Sequence, residues 1–427
     1  MRTKLALTLL LVFSLTHAQQ QVAASYPPVD DLVFKIVIYG PSDPMFIWWG
    51  HAALIVHNTR WNFSRVFDWG IFSYPSDNFL YDFIRERVRY RSAVGGRNMR
   101  PYIEEDRDIV IYTLNLDRRA KEIMLAYAQN SVLPENRYYD YHQFLDNCAT
   151  RIRDIINMGT RGQFKEVFEN TPGRLTLRQH VRRFTWFRPF QEWFLCFMMG
   201  QVYDKQISAW NEMFLPVEIA RNIVNFSFID YYGEERQLVS SVEFYNASKS
   251  RPPILHAPIL TWPFFTKAGI LIATILFQVK VFGKMYPRAS RIFLGLAQSV
   301  FGLVLGVLGV VLTFGKFFMN NDYFRQNFNL LFVNPLLLFI VPLGILAAIN
   351  KAPRINPEKC LHIFWTCVFI VCGITVILRP LPFFFQQNYS VQGLVLPIAF
   401  ALSYIPDNLY KLKPLIEKLW KPGGSDT

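Results

Sequence analysis

Between residues 264 and 405 the chain carries about five apolar stretches, near 264–282, 292–314, 330–349, 360–378 and 389–405, each of a length that crosses a bilayer as a helix. Hydrocarbon offers a backbone amide no partner, so such segments fold only as helices that close their hydrogen bonds internally. Residues 259–406 are therefore expected to form an all-α transmembrane bundle of about five helices. Acidic residues nearly vanish there, with Asp322 and Glu358 confined to connecting loops. Lys280, Lys284, Arg288 and Arg291 follow the first stretch, Lys351, Arg354 and Lys359 the third, and Lys411, Lys413, Lys418 and Lys421 occupy the tail, 407–427. Basic loops stay on the cytoplasmic side, so these three segments, the C-terminus included, are assigned there.

An odd number of spans then puts everything before the bundle outside the cytoplasmic membrane. The N-terminus agrees independently. Arg2 and Lys4, an apolar run from Leu5 to Leu15 and Thr16-His17-Ala18 read as a cleavable secretory signal over residues 1–18. No cysteine directly follows that run, so the mature chain is not itself expected to be a lipoprotein. Residues 19–258 are mixed in composition and long enough to fill one domain. The formal charge of +13 would suggest nucleic acid in a soluble protein, but cytoplasmic loops and tail account for much of it, and no nucleic-acid role is assigned. Arg85, Arg87, Arg89, Arg91, Arg97 and Arg100 read as a solvated face or one that meets anionic lipid.

Within the outer domain, Trp48–His57, Ser64–Trp69 and Asp108–Leu116 read as strands, and 78–85 and 118–133 as helices. A small antiparallel sheet packed on a few helices fits that order, which makes the domain α+β. The aromatic stretch Trp186–Gly200 reads as a buried helix or, alternatively, as an interfacial segment that admits an acyl chain.

The chemistry is concentrated in two segments, Gly50-His51-Ala52-Ala53-Leu54 and Asp146-Asn147-Cys148-Ala149-Thr150-Arg151. After Cys148, apolar residues recur at Ala149, Ile152, Ile155 and Ile156, and Gly159 reads as a stop signal. Asp146 or Asn147 is then the N-cap. A thiol in the first turn faces unpaired N–H groups and the positive end of the helix dipole, both of which favour thiolate. His51, sharing a strand face with Ala53, Ile55 and His57, supplies a base in a fixed direction. A lone cysteine in an apolar helix is more often packing than nucleophile; the cap position, polar neighbours and available histidine favour the nucleophile. His57, His142 and His180 are weaker candidates. Cys148 and Cys196 are the cysteines of the outer domain, and a disulfide between them would abolish the thiol chemistry. The spacing of histidines and cysteines there speaks against a zinc site, and no metal or cofactor is called for. Cys360, Cys367 and Cys372 fall within one span, as lipid-facing or packed small residues.

Further short segments occur in order with these two: Trp69-Gly70-Ile71-Phe72, read as a turn, Asp106-Arg107, Leu114-Asn115-Leu116, Pro134-Glu135-Asn136-Arg137, the tyrosine-rich Tyr138–Tyr141, and Phe214-Leu215-Pro216. The set resembles the extracytoplasmic domain of the Lnb-type bacterial lipoprotein intramolecular acyltransferases over most of residues 30–220, and the multi-span region that follows also looks like that family. The resemblance implies a permuted papain-like or NlpC-like cysteine fold, histidine before cysteine in the chain, similar to lecithin retinol acyltransferase. It implies Cys148 as nucleophile and His51 as base. It does not fix the group that orients His51: Asp68, a backbone carbonyl or His57 would each serve.

By that reading, Cys148 attacks a glycerolipid ester, and the oxyanion is held by its own N–H and a side chain such as Asn147. The acyl thioester is then handed to the α-amine of a lipoprotein's terminal cysteine, with the donor ester on the same lipoprotein or on a phospholipid. Bacterial lipoproteins and membrane glycerolipid are the implied partners. Arg151, Tyr138 and Tyr141 are candidate substrate contacts, although Arg151 could equally pair with Asp146 or Asp154. A cysteine hydrolase on peptide, cell-wall or lipid ester substrates would use the same dyad with water as acceptor, and a non-enzymatic membrane scaffold would be indifferent to Cys148.

Overall fold

The computed structural model describes residues 28–43, 45–72, 89–283, 285–319, 324, 326–350 and 356–404. The signal segment, the helix expected over 78–85 with Arg85 and Arg87, and the basic tail lie outside them. The described chain divides into two compact units. One holds the residues up to Arg174 with Ile207–Pro253, the other Leu175–Gln206 with the residues from Ile254 onward.

The first unit is α+β. Its strands are β1 (Leu32–Tyr39), β2 (His51–Asn58), β3 (Phe63–Phe72), β4 (Arg89–Gly96), β5 (Ile109–Leu114), β6 (Tyr138–Asp140), β7 (Ser227–Ile229), β8 (Glu235–Gln237) and β9 (Val239–Asn246). Seven of them form one antiparallel sheet in the order β6-β4-β3-β2-β1-β5-β9, and β7 and β8 pair separately. Alternation sorts the side chains. Phe34, Ile36, Leu54, Phe67 and Trp69 face the helices Arg118–Ser131 and Cys148–Gly159, with Ala149, Ile152, Ile155 and Ile156 in the same buried cluster. Val37, Tyr39, Ala53, Ile55 and Ile111 face the other way and are covered by Met99 and Tyr102 on and beside the short helix Arg100–Glu104.

Two local readings need correction. The segment Trp69–Phe72 is not a turn but the end of β3, where the register with β4 slips between Asp68 and Ile71 and Gly70 takes φ +86°. Gly159 does not stop its helix by backbone freedom. It is the last helical residue, and a Cβ there would sit 2.6 Å from Met124 Sδ, so glycine lets the two helices approach. The left-handed residues that end the run are Arg161 and Gly162.

The second unit is helical. Trp262–Val281, Pro287–Phe318, Phe328–Ile349 and Pro357–Leu378 are long and apolar enough to cross a membrane. The fifth stretch forms a shorter apolar helix, Tyr389–Ser403. Gly295, Ser299, Gly302 and Gly306 along the second of these helices let it lie close to Leu338, Ile340, Gly344 and Ala348. The cysteine span holds Cys372 buried and Cys367 exposed.

The aromatic stretch, assigned by sequence to 19–258, packs in this unit instead. It forms the helix Pro189–Met198, with Phe197 buried among Leu276, Leu305, Leu361 and Trp365. The helix before it, Leu177–Thr185, carries Arg178 wholly buried. That guanidinium is bound by both Asp204 oxygens, at 2.7 and 3.0 Å, and by the carbonyls of Cys196, Met199 and Gly200.

Candidate active site

Gly50 sets the position of His51. It has φ +78°, and a Cβ there would meet the Tyr39 carbonyl oxygen at 2.7 Å, so only glycine lets β2 start opposite the end of β1. His51 then pairs in register with Tyr39, whose ring stacks on the imidazole with centroids 6.0 Å apart. Tyr102 stacks on Tyr39 in turn at 3.9 Å, and the Arg107 guanidinium lies over both phenol rings. One face of the imidazole is thereby fixed by a stack that begins in the core.

Asp68 supplies the edge contact. It pairs with Ala53 across β2–β3 and so shares a sheet face with His51. His51 Nε2 lies 2.7 Å from Asp68 Oδ1, and each side chain keeps less than a fifth of its surface exposed. His57, the other side-chain candidate for this role, instead has its Nδ1 3.0 Å from Ser64 Oγ.

Cys148 is the first residue of its helix. Asn147 is the N-cap: its Oδ1 accepts from Thr150 N, while Thr150 Oγ1 accepts from Asn147 N, a reciprocal capping box. The two Nδ2 hydrogens of Asn147 go to the carbonyls of Gln143 and Phe214. All of its polar groups are therefore engaged in holding the helix start, which leaves no donor for an oxyanion.

The histidine and the cysteine approach from opposite faces of the sheet. They meet at the end of β2, where the β3 irregularity removes a side chain: a Cβ on Gly70 would stand 3.5 Å from Cys148 Cβ and 3.7 Å from its amide nitrogen. Cys148 lies close enough to His51 to act on its ionisation. Burial opposes a charge on the imidazole, but the Asp68 carboxylate, then Cys148, and hydrogen bonds from both hold His51 well above its ordinary value of 6.5.

Three tyrosines stand near enough to Cys148 to feel it electrostatically. Tyr90 and Tyr141 stack at 4.0 Å, and Tyr141 lies against Gly70. Burial, and after it the electrostatic influence of Cys148, raise the phenols of Tyr90, Tyr139 and Tyr141. Tyr138 alternates to the outside of β6 and is exposed. Arg151 binds Asp146 with two prongs, Nε to Oδ1 at 2.5 Å and Nη2 to Oδ2 at 2.7 Å, and its guanidinium carbon sits 4.4 Å from the Tyr139 ring centroid. Its charge is thus answered within the protein. His142 caps a turn, its Nδ1 accepting from the amides of Phe144 and Leu145. His180 belongs to the helical unit, with Arg183 Nη1 3.3 Å from its Nδ1.

Sequence reasoning overlooked Tyr39, Tyr90 and Tyr139. Tyr139 was visible as the inward member of an alternating Tyr138-Tyr139 pair, but nothing local marks which parity faces the thiol. Cys148 and Cys196 are both free thiols. Among the described residues, no cluster of three or more His, Cys, Asp or Glu could hold a metal ion.

Residues 18–183 match the family model described as the Lnb N-terminal periplasmic domain, the resemblance that the ordered motifs implied. Comparison with curated proteins and with solved structures returned no match. A periplasmic domain followed by four helices long and apolar enough to cross a membrane fits an inner-membrane protein with its N-terminal domain on the periplasmic side.

Proposed function

We propose that the protein is a membrane-bound acyltransferase that moves a fatty acyl chain from a glycerolipid ester, through a thioester on Cys148, to the α-amine of a lipoprotein's N-terminal cysteine. The single observation that carries this reading is the Asp68–His51–Cys148 arrangement at a capped helix start, within a domain that matches an Lnb-type family model. The order histidine then cysteine, on a strand and a helix that flank one antiparallel sheet, is what a permuted papain-like fold would give.

In the proposed first step, the Cys148 thiolate attacks the ester carbonyl carbon, forming the S–C bond and placing the carbonyl electron pair on oxygen. Nε2 of His51 is taken by Asp68, which leaves Nδ1 as the ring nitrogen that serves the thiol. An imidazolium there is both the counter-charge of the thiolate and the acid that protonates the departing glycerol oxygen as the C–O bond breaks. His51, now neutral, accepts a proton from the attacking amine as the amide forms and the thiolate is released. The donor ester we favour is that of the diacylglyceryl lipoprotein itself, which yields an N-acyl, lyso-glyceryl product.

The test is mass spectrometry of lipoprotein N-termini in cells carrying the wild-type chain or Cys148→Ala. Loss of the N-acyl form in the variant is expected. An unchanged N-acyl pattern would refute the transfer reading, and free fatty acid or peptide that accumulates only with the wild type would point to a hydrolase.

A further inference from the structure

Tyr139 is unusual among the groups around Cys148. Its hydroxyl oxygen is buried and makes no well-formed hydrogen bond among the described residues. A buried phenol normally has a partner, because an unmet hydroxyl costs about 1–3 kcal/mol. The backbone of Gly70 acts on the phenol in the sense of an N–H donor, favouring its ionised form, and a donor gives the phenol's own O–H no acceptor. Gly70 is also the residue against which Cys148 packs, so Tyr139 and Cys148 both approach the same residue of β3.

The rest of the neighbourhood holds the ring still. β6 pairs with β4 through Tyr90 opposite Tyr139, and the guanidinium of Arg151 covers the ring from the other direction, itself held by Asp146. A cation over a phenol polarises its O–H and favours a stronger donor. Burial, and then the electrostatic influence of Cys148 and Asp146, raise the phenol's pKa, so the hydroxyl keeps its proton throughout the working pH range.

We propose that Tyr139 is a catalytic residue, the side-chain donor that, with the backbone N–H of Cys148, receives the oxyanion when the thiolate attacks an ester. This rests on the acyl-carrier reading of Cys148. The Cys148 amide is a first-turn N–H with no intrahelical acceptor, so it points out of the helix and is available. When the S–C bond forms, the carbonyl electron pair moves to oxygen, and that oxygen accepts from the phenol O–H and the amide. When the carbonyl re-forms, the C–O bond breaks and the leaving oxygen takes its proton from His51. Tyr139 neither gains nor loses a proton. The donor that the sequence assigned to Asn147 is thereby supplied from β6, and Arg151 becomes the residue that positions it, not a contact for substrate.

The experiment compares two reactions of one thiol in the full-length chain in detergent: acylation by a p-nitrophenyl ester, which passes through an oxyanion, and alkylation by iodoacetamide, which does not. Tyr139→Phe removes one oxygen and keeps the ring. The expected result is a 10²–10³-fold lower acylation rate, about the loss seen when one oxyanion donor is deleted, with alkylation within about twofold of wild type. Equal acylation in Tyr139→Phe and wild type overturns the assignment while leaving the acyl-carrier reading intact. A parallel fall in alkylation overturns it too, because Tyr139 would then act on the thiol. If the wild type forms no acyl-enzyme that Cys148→Ala lacks, the acyl-carrier reading fails and takes this assignment with it.

Discussion

His51 Nε2 and Asp68 Oδ1 lie 2.7 Å apart, on neighbouring antiparallel strands whose register puts both side chains on one sheet face. The contact fixes which ring nitrogen is left for Cys148, and it raises the imidazole against the pull of burial. Asp68→Asn keeps the shape and removes the charge. Burial opposes the charged imidazole and Asp68 is the largest of the causes that raise it, so His51 in the variant should titrate at lower pH than in the wild type. Ester turnover needs the imidazolium as acid, so its alkaline limb should move to lower pH in the variant, with at least a tenfold loss at pH 7.5. A pH–rate profile for both proteins checks this, and coincident alkaline limbs would remove Asp68 from the site.

The same shift has a stability consequence whose sign is fixed by linkage. A histidine raised on folding binds its proton more tightly in the native state, so its contribution is complete below about 6.5 and is lost as pH climbs through the raised value. Thermal melts of the wild type should therefore fall across that window more steeply than those of His51→Gln. Parallel curves for the two proteins would contradict the raised value.

Gly50→Ala should both destabilise and disarm the domain. The left-handed backbone costs about 1–3 kcal/mol for a residue with a Cβ, and here the added atom also meets the Tyr39 carbonyl at 2.7 Å. Relief requires β2 to move away from β1 at the very residue that carries the imidazole. A lower melting temperature together with slower ester acylation is expected; wild-type values for both would show that the chain start of β2 is not constrained as described.

Asn147→Ala removes a cap and two donors to carbonyls, a loss of about 2 kcal/mol from the cap and its buried hydrogen bonds. Tyr139, not Asn147, supplies the oxyanion donor in our scheme. The folded fraction of Asn147→Ala, counted by Cys148 titration, should then retain acylation to within about tenfold of wild type. A 10²–10³-fold loss per folded molecule would instead return the donor role to Asn147.

In the helical unit, Arg178→Met should be severe. The substitution leaves Asp204 and three carbonyls without the buried cation that joins them, and stranding a buried charge costs about 3–5 kcal/mol. The expected outcome is loss of full-length protein from membranes; a wild-type yield with unchanged protease resistance would count against the network as a structural support.

Much of this molecule was legible locally. The apolar runs announced helices because a bilayer allows little else, and the 3.6-residue spacing after Cys148 announced a capped helix because the first-turn amides need an acceptor. Asp146 and Asn147 both satisfied that need on paper; the structure gives it to Asn147, since its amide also reaches the Phe214 carbonyl sixty-seven residues away, while Asp146 pairs with Arg151. The fifth apolar run is a different case. Composition cannot tell how many of its residues wind into one helix, and Tyr389–Ser403 is shorter than the other four.

What the sequence determined by itself was a set of local features: a thiol at a helix start, a histidine on a strand, and apolar helices to follow. Those follow from periodicity and composition, which act over one turn or one strand. What only the tertiary structure decided was which groups complete them. Strand register put Asp68 beside His51, a slip at Gly70 let Cys148 pack against β3, and the pairing of β6 with β4 turned Tyr139 inward. Each depends on contacts between residues far apart in the chain, and a one-residue change of register would have sent every one of those side chains to the opposite face.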